Sequence, residues 1–360
     1  MSQAGDVEAH ILRLPAEILE MVAKKLEGEG SSLDNFRLTC QYFAHSSTRL
    51  LGKYFTDKTF LLAHASSMQA LVDISQHATF KRSLKRIHLS LYDVHSVLAS
   101  RKLGGEHKKY LASLNWRRPL LTALRNISKV SAGQDITLVV GDDYSPYDLG
   151  FCGQRTAERQ LDAWFRFRVP SSTTALWPGI LQTLLQSHCQ ITALRIGSEY
   201  CPIALNELDD GLIYTDEDFY AVFGGMQRLQ FYCKDVKVEK DTKPLPHSQC
   251  FLDKLLTAPS LEKLDVQTDI DTVHRRASSY LHAVMARAHL PRLRRLKLLA
   301  DGFEENAMID FIRRHKITLQ RVSFWIYWLD PGEADEREAP YLQAVPGVDI
   351  EFYSPDGRVS

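Results

Sequence analysis

Adjacent acids at Asp142 and Asp143, set in Gly141-Asp142-Asp143-Tyr144-Ser145-Pro146, are one place in this 360-residue chain where two carboxylates could share a metal or a proton. The same residue types also favour a tight backbone turn. Asp271 and His274 make a second pair, but they bring only two of the ligands a metal site needs. His188-Cys189 with Cys201 would require a distant fourth ligand to complete tetrahedral zinc. The frames G-x-S-x-G, G-x-x-x-x-G-K-[ST], G-x-G-x-x-G and H-E-x-x-H are all absent. The expectation is a chain without a catalytic residue, cofactor or metal. Adjacent acids read as a turn, and Asp271 as a solvated helix start.

The whole chain points the same way. Lys plus Arg equals Asp plus Glu at 44 each, so no global field attracts nucleic acid or an anionic membrane. The first ten residues, MSQAGDVEAH, are polar, and no apolar run approaches the ~18 residues that span a bilayer. Six cysteines, at 40, 152, 189, 201, 233 and 250, form no C-x-x-C. They read as reduced, mostly buried thiols, and the Asn126-Ile127-Ser128 sequon as unused. The expected compartment is cytoplasm, nucleus or both.

The N-terminal elements come from LRLPAEILEMVAKKLEGEGSSLDNFRLTCQYF, residues 12–43. Pro15 suits a first helical position. Ile18, Leu19, Val22 and Leu26 then predict one apolar helix face, ended by Gly28-Glu29-Gly30. Ser31 and Ser32 offer caps for a second helix, which carries Leu33, Phe36 and Cys40 inward around Arg37. A third amphipathic piece covers about Gln41 to Leu51.

With Leu14, Pro15, Glu17, Ile18, Leu19, Val22 and Leu26, then Leu33, Phe36, Arg37, Leu38, Cys40 and Phe43, this stretch resembles the F-box. The resemblance covers roughly the first 50 residues. It implies a three-helix module that docks on a Skp-type adaptor and, through it, a cullin scaffold of an SCF ubiquitin ligase. Its apolar contact and core set would be Leu14, Pro15, Ile18, Leu19, Val22, Leu33, Phe36 and Leu38. The looser Gly28–Ser31 spacer departs from a tight version of the motif.

The body repeats a phrase of the form apolar-x-x-apolar-x-apolar. It occurs as Leu84/Ile87/Leu89, Ile191/Leu194/Ile196, Met226/Leu229/Phe231 and Leu261/Leu264/Val266. It returns as Leu293/Leu296/Leu298, Leu319/Val322/Phe324 and Val345/Val348/Ile350. From Leu194 to Val348 the central positions are 35, 35, 32, 26 and 26 residues apart. Helical patterns precede most phrases, such as Ile180/Leu181/Leu184/Leu185 and Met308/Phe311/Ile312. Helix, loop and short strand recurring at this spacing predict an α/β solenoid whose strands stack into one sheet. The strand phrase is similar to that of leucine-rich repeats in a degenerate form, over about residues 80–353, without the usual Asn after it. The expected division is a helical module over 1–55 and a repeat body over 56–360.

Long insertions are expected near 141–175, 206–217 and 329–340, the last two acidic. Arg292–Lys297 and Arg313–Lys316 are read as the solvated side of a strand and the last turn of a helix. Trp325-Ile326-Tyr327-Trp328 is read as core packing or a partner-binding patch. Three functions stay open. The favoured one is a non-catalytic substrate receptor that bridges the adaptor and an unknown protein substrate. An alternative is a repeat scaffold outside ubiquitination, with the helical head as its cap. The last is an enzyme with a site among the insertions.

Overall fold

The computed structural model describes residues 14–26, 32–62, 64–91, 115–130, 134–141, 152, 176–198, 203–204, 212–234, 251–268, 285–299, 305–325, 345–354 and 357–358. The chain begins with helices α1 (Ala16–Lys25), α2 (Ser32–Thr39), α3 (Gln41–Ser46) and α4 (Thr48–Lys53). The expected third helix is thus two short ones that meet at Ser47. Helix α1 starts one residue after Pro15, whose carbonyl accepts from Ile18 N (3.0 Å) and Leu19 N (3.2 Å). Gly28–Ser31 lie outside the described residues.

Beyond the head the architecture is mixed α/β. Strands β1 (Asp57–Leu61), β2 (Arg86–Ser90), β3 (Thr137–Val140) and β4 (Ala193–Ile196) come first. The two-residue β5 (Ile203–Ala204) is followed by β6 (Arg228–Lys234), β7 (Lys263–Thr268) and β8 (Arg295–Leu299). Strands β9 (Arg321–Trp325), β10 (Asp349–Ser354) and β11 (Gly357–Arg358) complete the sheet. From β1 to β10, β5 aside, the strands lie side by side in chain order, every pair parallel. Strand β5 pairs with the upper part of β6, and β11 folds back antiparallel on β10.

The helices between them are α5 (Ala65–Gln76), α6 (Phe80–Ser83), α7 (Arg117–Ser128), α8 (Trp177–Ser187), α9 (Asp216–Phe223), α10 (Phe251–Leu255) and α11 (Glu305–His315). Parallel strands need such crossovers, and crossovers that advance in one direction with one hand put their helices on one face. Helices α5, α7, α8 and α9 accordingly pack on one another in chain order.

Register explains the repeat. Leu194, Leu229, Leu264, Leu296 and Val322 are direct partners across β4, β6, β7, β8 and β9. The last apolar position follows suit through Ile196, Phe231, Val266, Leu298 and Phe324. Together with Leu184, Phe223, Leu255 and Phe311 from the helices, they form one continuous buried cluster. The chain also stitches each strand start to the next. Thr56, Ile136, Thr192, Gln227, Glu262 and Arg294 each offer a carbonyl to two successive N–H groups of the following unit, and the Lys85 carbonyl accepts from Thr137 N.

Three expectations are corrected, and one strand without a sequence signal is added. The final phrase is displaced by two residues: Ile350, not Val348, pairs with Val322, and Phe352 pairs with Phe324. Val345 and Val348 instead bury in the turn before β10, where Gly347 takes φ +94°. Strand β1 gave no signal, because Lys58 occupies the position taken elsewhere by a central apolar residue and only Phe60 is in phase. Asp216 and Glu217 are the first turn of α9, not loop; Thr215 and Asp218 cap that helix reciprocally. Helix α5 begins at Ala65 with His64 as its N-cap, two residues before the expected Ser66 cap.

At the end of β3, Gly141 adopts φ +129°, and an added Cβ would lie 2.9 Å from the Gly197 backbone. Backbone does not yield as a flexible side chain does. Gly141→Ala is therefore expected to lower stability by about 3 kcal/mol, combining a φ penalty with overpacking. Gly347→Ala, with no atom within 4 Å of its Cβ, should cost only about 1 kcal/mol. Urea midpoints that shift equally for the two variants would disprove this account of Gly141.

Candidate functional site

Two surfaces are the candidates for a partner: the outside of the helical head and the sheet face away from the helices. In the head, Ala23, Leu33 and Leu50 form a small buried cluster, with Leu26 and Phe36 packed against it. Phe36 stacks on Phe43 with ring centroids 4.4 Å apart. Arg37 holds α2 to the next two helices by donating to the Ala44 carbonyl (2.8 Å), Ser47 Oγ (3.0 Å) and Thr48 Oγ1 (3.5 Å). Tyr42 Oη donates to the Leu14 carbonyl at 3.0 Å, which ties α3 to the start of α1.

The eight sequence-predicted residues separate by exposure. Leu19 and Leu33 are buried; Leu14, Val22 and Phe36 are half-buried; Pro15, Ile18 and Leu38 are exposed. Ile18 therefore leaves the expected stripe, which runs instead through Leu19, Ala23 and Leu26 at helical spacing. Met21, one turn on from Ile18, is 64% exposed and Leu38 is 83% exposed. Tyr42 is also open to solvent. The head reaches the sheet domain through α4 on α6 and through Phe55 against Phe80, whose rings lie 4.6 Å apart.

On the sheet, alternation aims every second side chain away from the helices. One row across β6 to β10 reads Arg228, Lys263, Arg295, Arg321, Asp349. The next, starting on β4, reads Arg195, Gln230, Asp265, Lys297, Ser323, Glu351. From Arg228 to Arg321 and from Gln230 to Glu351, these rows line an open groove of about 440 Å³. Arg321 Nε pairs with Asp349 at 2.9 Å, and Glu351 accepts from Tyr353 Oη (3.0 Å) and Ser323 Oγ (3.3 Å). Arg195 stacks its guanidinium 4.9 Å from the Tyr232 ring centroid. Burial pushes the Asp265 carboxyl above the usual range, opposed by the nearby Lys297 charge, the Gln267 amide bond and Arg195.

The residues first considered for chemistry have structural duties where they are described. His188 ends α8 in a left-handed turn and pairs with Asp218 at 3.1 Å. Asp218 lies below its ordinary carboxyl range, first because Thr215 N–H and Oγ1 donate to it, and further through His188. Cys189 is buried, and burial pushes its thiol to about 12, so it stays protonated. Cys152 is raised to about 11 by burial against the pull of Lys58. Among the described residues no group of three His, Cys, Asp or Glu is placed to hold a metal ion. No helix among them is long and apolar enough to cross a membrane. Asp142, Asp143, Asp271, His274, Cys201 and the 329–340 segment lie outside the described residues. So do Tyr327 and Trp328 of the aromatic run.

The basic stretch at α11 contains a structural histidine. His315 is buried; its Nδ1 donates to the Phe311 carbonyl (2.8 Å), so Nε2 accepts from Leu290 N (3.0 Å). Arg314 beside it donates to the Met285 carbonyl at 2.9 Å. The groove rows, by contrast, were missed. Their signal is the residue just before each central apolar position, which is Arg228, Lys263, Arg295 and Arg321 in consecutive units. Compared with known proteins, the chain matches no family model, and no curated protein is significantly similar to it.

Burial lowers the His315 pKa below its ordinary 6.5, helped by Arg314 and His289 against the Phe311 hydrogen bond. The unfolded chain then binds the proton more readily, so this contribution is intact above pH ~6.5 and declines as pH falls below it. Melting temperatures followed from pH ~7.5 to ~5 should drop more for wild type than for His315→Gln. Parallel curves would contradict the assignment.

Proposed function

We propose that the protein is the substrate-receptor subunit of an SCF-type ubiquitin ligase, its helical head docking on a Skp-type adaptor and, through it, a cullin. The carrying observation is the pair of exposed large side chains Ile18 and Met21 on α1, with Leu38 on α2, outside a head whose small core is already filled by Ala23, Leu33 and Leu50. A helix that only covered the end of a sheet would turn such residues inward. Pro15, Ile18 and Leu38 are the contact residues in this reading; Leu19 and Leu33 hold the head together. Leu14, Val22 and Phe36 contribute to both.

Its mechanism is proximity. The receptor holds a protein substrate near the ubiquitin-loaded conjugating enzyme and raises effective concentration without supplying a catalytic group. This places the work in cytoplasm or nucleus. A second reading, a repeat scaffold capped by its own helical head, is favoured by the packing of α4 on α6 and of Phe55 on Phe80.

Co-expression with a Skp-type adaptor separates the two. Wild type should co-purify with the adaptor at equal stoichiometry. Ile18→Glu/Leu38→Glu, which alters exposed positions only, should lose it while keeping its thermal melt. Recovery unchanged by the double substitution, or no recovery with wild type, would leave the capped scaffold as the better account.

A further inference from the structure

Like charges directly opposite one another on adjacent strands destabilise a sheet, because neighbouring strands lie only ~4.8 Å apart. The row Arg228, Lys263, Arg295, Arg321 sets four cations side by side on four consecutive strands. The chain has no excess of positive charge that would scatter cations there by composition alone. Arg321 is neutralised by Asp349. Among the described residues no carboxylate pairs with Arg228, Lys263 or Arg295. All four are exposed along one edge of the groove, and Lys297 adds a fifth positive charge inside it against Asp265 and Glu351.

We infer that this groove binds an extended Asp/Glu-rich peptide segment of a partner protein, laid across the N-terminal ends of β6 to β9. The row spans three inter-strand gaps, about 14 Å, the length of four or five extended residues. Its cations are spread in a line instead of converging on one point, which suits several single carboxylates better than one phosphate dianion. Gln230 and Ser323 beside the row offer hydrogen bonds to peptide groups, which a nucleic-acid backbone lacks. In the receptor reading the segment belongs to the substrate, and to that extent the inference rests on that reading. Binding itself requires no adaptor.

Fluorescence anisotropy on the full chain alone tests it. The probes are a labelled peptide with about five consecutive glutamates, its lysine counterpart, a single-phosphoserine peptide, and a single-stranded oligonucleotide of the same formal charge as the glutamate peptide. The glutamate peptide should bind saturably and weaken as NaCl rises from about 50 to about 300 mM. Lys263→Glu/Arg295→Glu should weaken it at least about tenfold, and the neutral Lys263→Gln/Arg295→Gln by a smaller factor. Arg313→Glu, on the outer helix layer, should leave it unchanged. If charge reversal disturbs folding in a thermal melt, the Gln variant decides. Absent binding, equal binding by wild type and variants, or tighter binding of the oligonucleotide or phosphopeptide would overturn the inference. None of these results bears on adaptor co-purification, so the two ideas fail separately.

Discussion

No single helix–strand unit of this chain can bury its own apolar face, and the rest of the structure depends on that constraint. Leu264 is covered because Leu229 and Leu296 flank it and because Leu255 lies in the same cluster. Removing any of these neighbours exposes the others. Stability in such an array is a sum over units and their interfaces, each interface combining apolar register with backbone stitching. The carbonyls of Gln227, Glu262 and Arg294, each accepting two N–H groups of the next unit, hold that register alongside the apolar packing. Side-chain chemistry on the open face is then placed by the register, with no further choice of geometry.

That dependence explains what could be read in the sequence. The units from Leu194 to Phe324 were legible because each carries two apolar residues at strand spacing and a helix at 3.6 spacing just before it. The last unit misled because Val345 and Val348 mimic the phrase while burying in a turn, and the true pair, Ile350 and Phe352, lies two residues on. Strand β1 was invisible because a lysine stands where the pattern needs an apolar residue. The head was legible by residue type but not by orientation. Pattern alone put Ile18 beside Leu19 in the packed stripe, whereas four short helices with a three-residue core have room for only part of that stripe.

The charged groove was the least legible feature. Arg228, Lys263, Arg295 and Arg321 are separated by some 26 to 35 residues, and each looks like an ordinary solvated strand residue in its own unit. Only pairing converts four isolated cations into one row. Of the candidates that sequence does flag, His188 and Cys189 resolve into the left-handed end of a helix and a buried protonated thiol, while the Asp142–Asp143 and Asp271–His274 pairs lie outside the described residues.

A sheet built by adding parallel strands in one direction has two raw edges, and either could accept a strand from another molecule. Here the last edge is finished by the chain itself. After Tyr353 the backbone reverses, and the two residues of β11 pair antiparallel with the end of β10. At the first edge, the outward carbonyl of Thr59 on β1 receives the N–H of Cys152 at 3.0 Å, delivered from a segment far along the chain. These closures oppose end-to-end stacking of copies into fibres. Growth by strand addition, which this architecture invites, is thus opposed at each edge by a segment of the same chain.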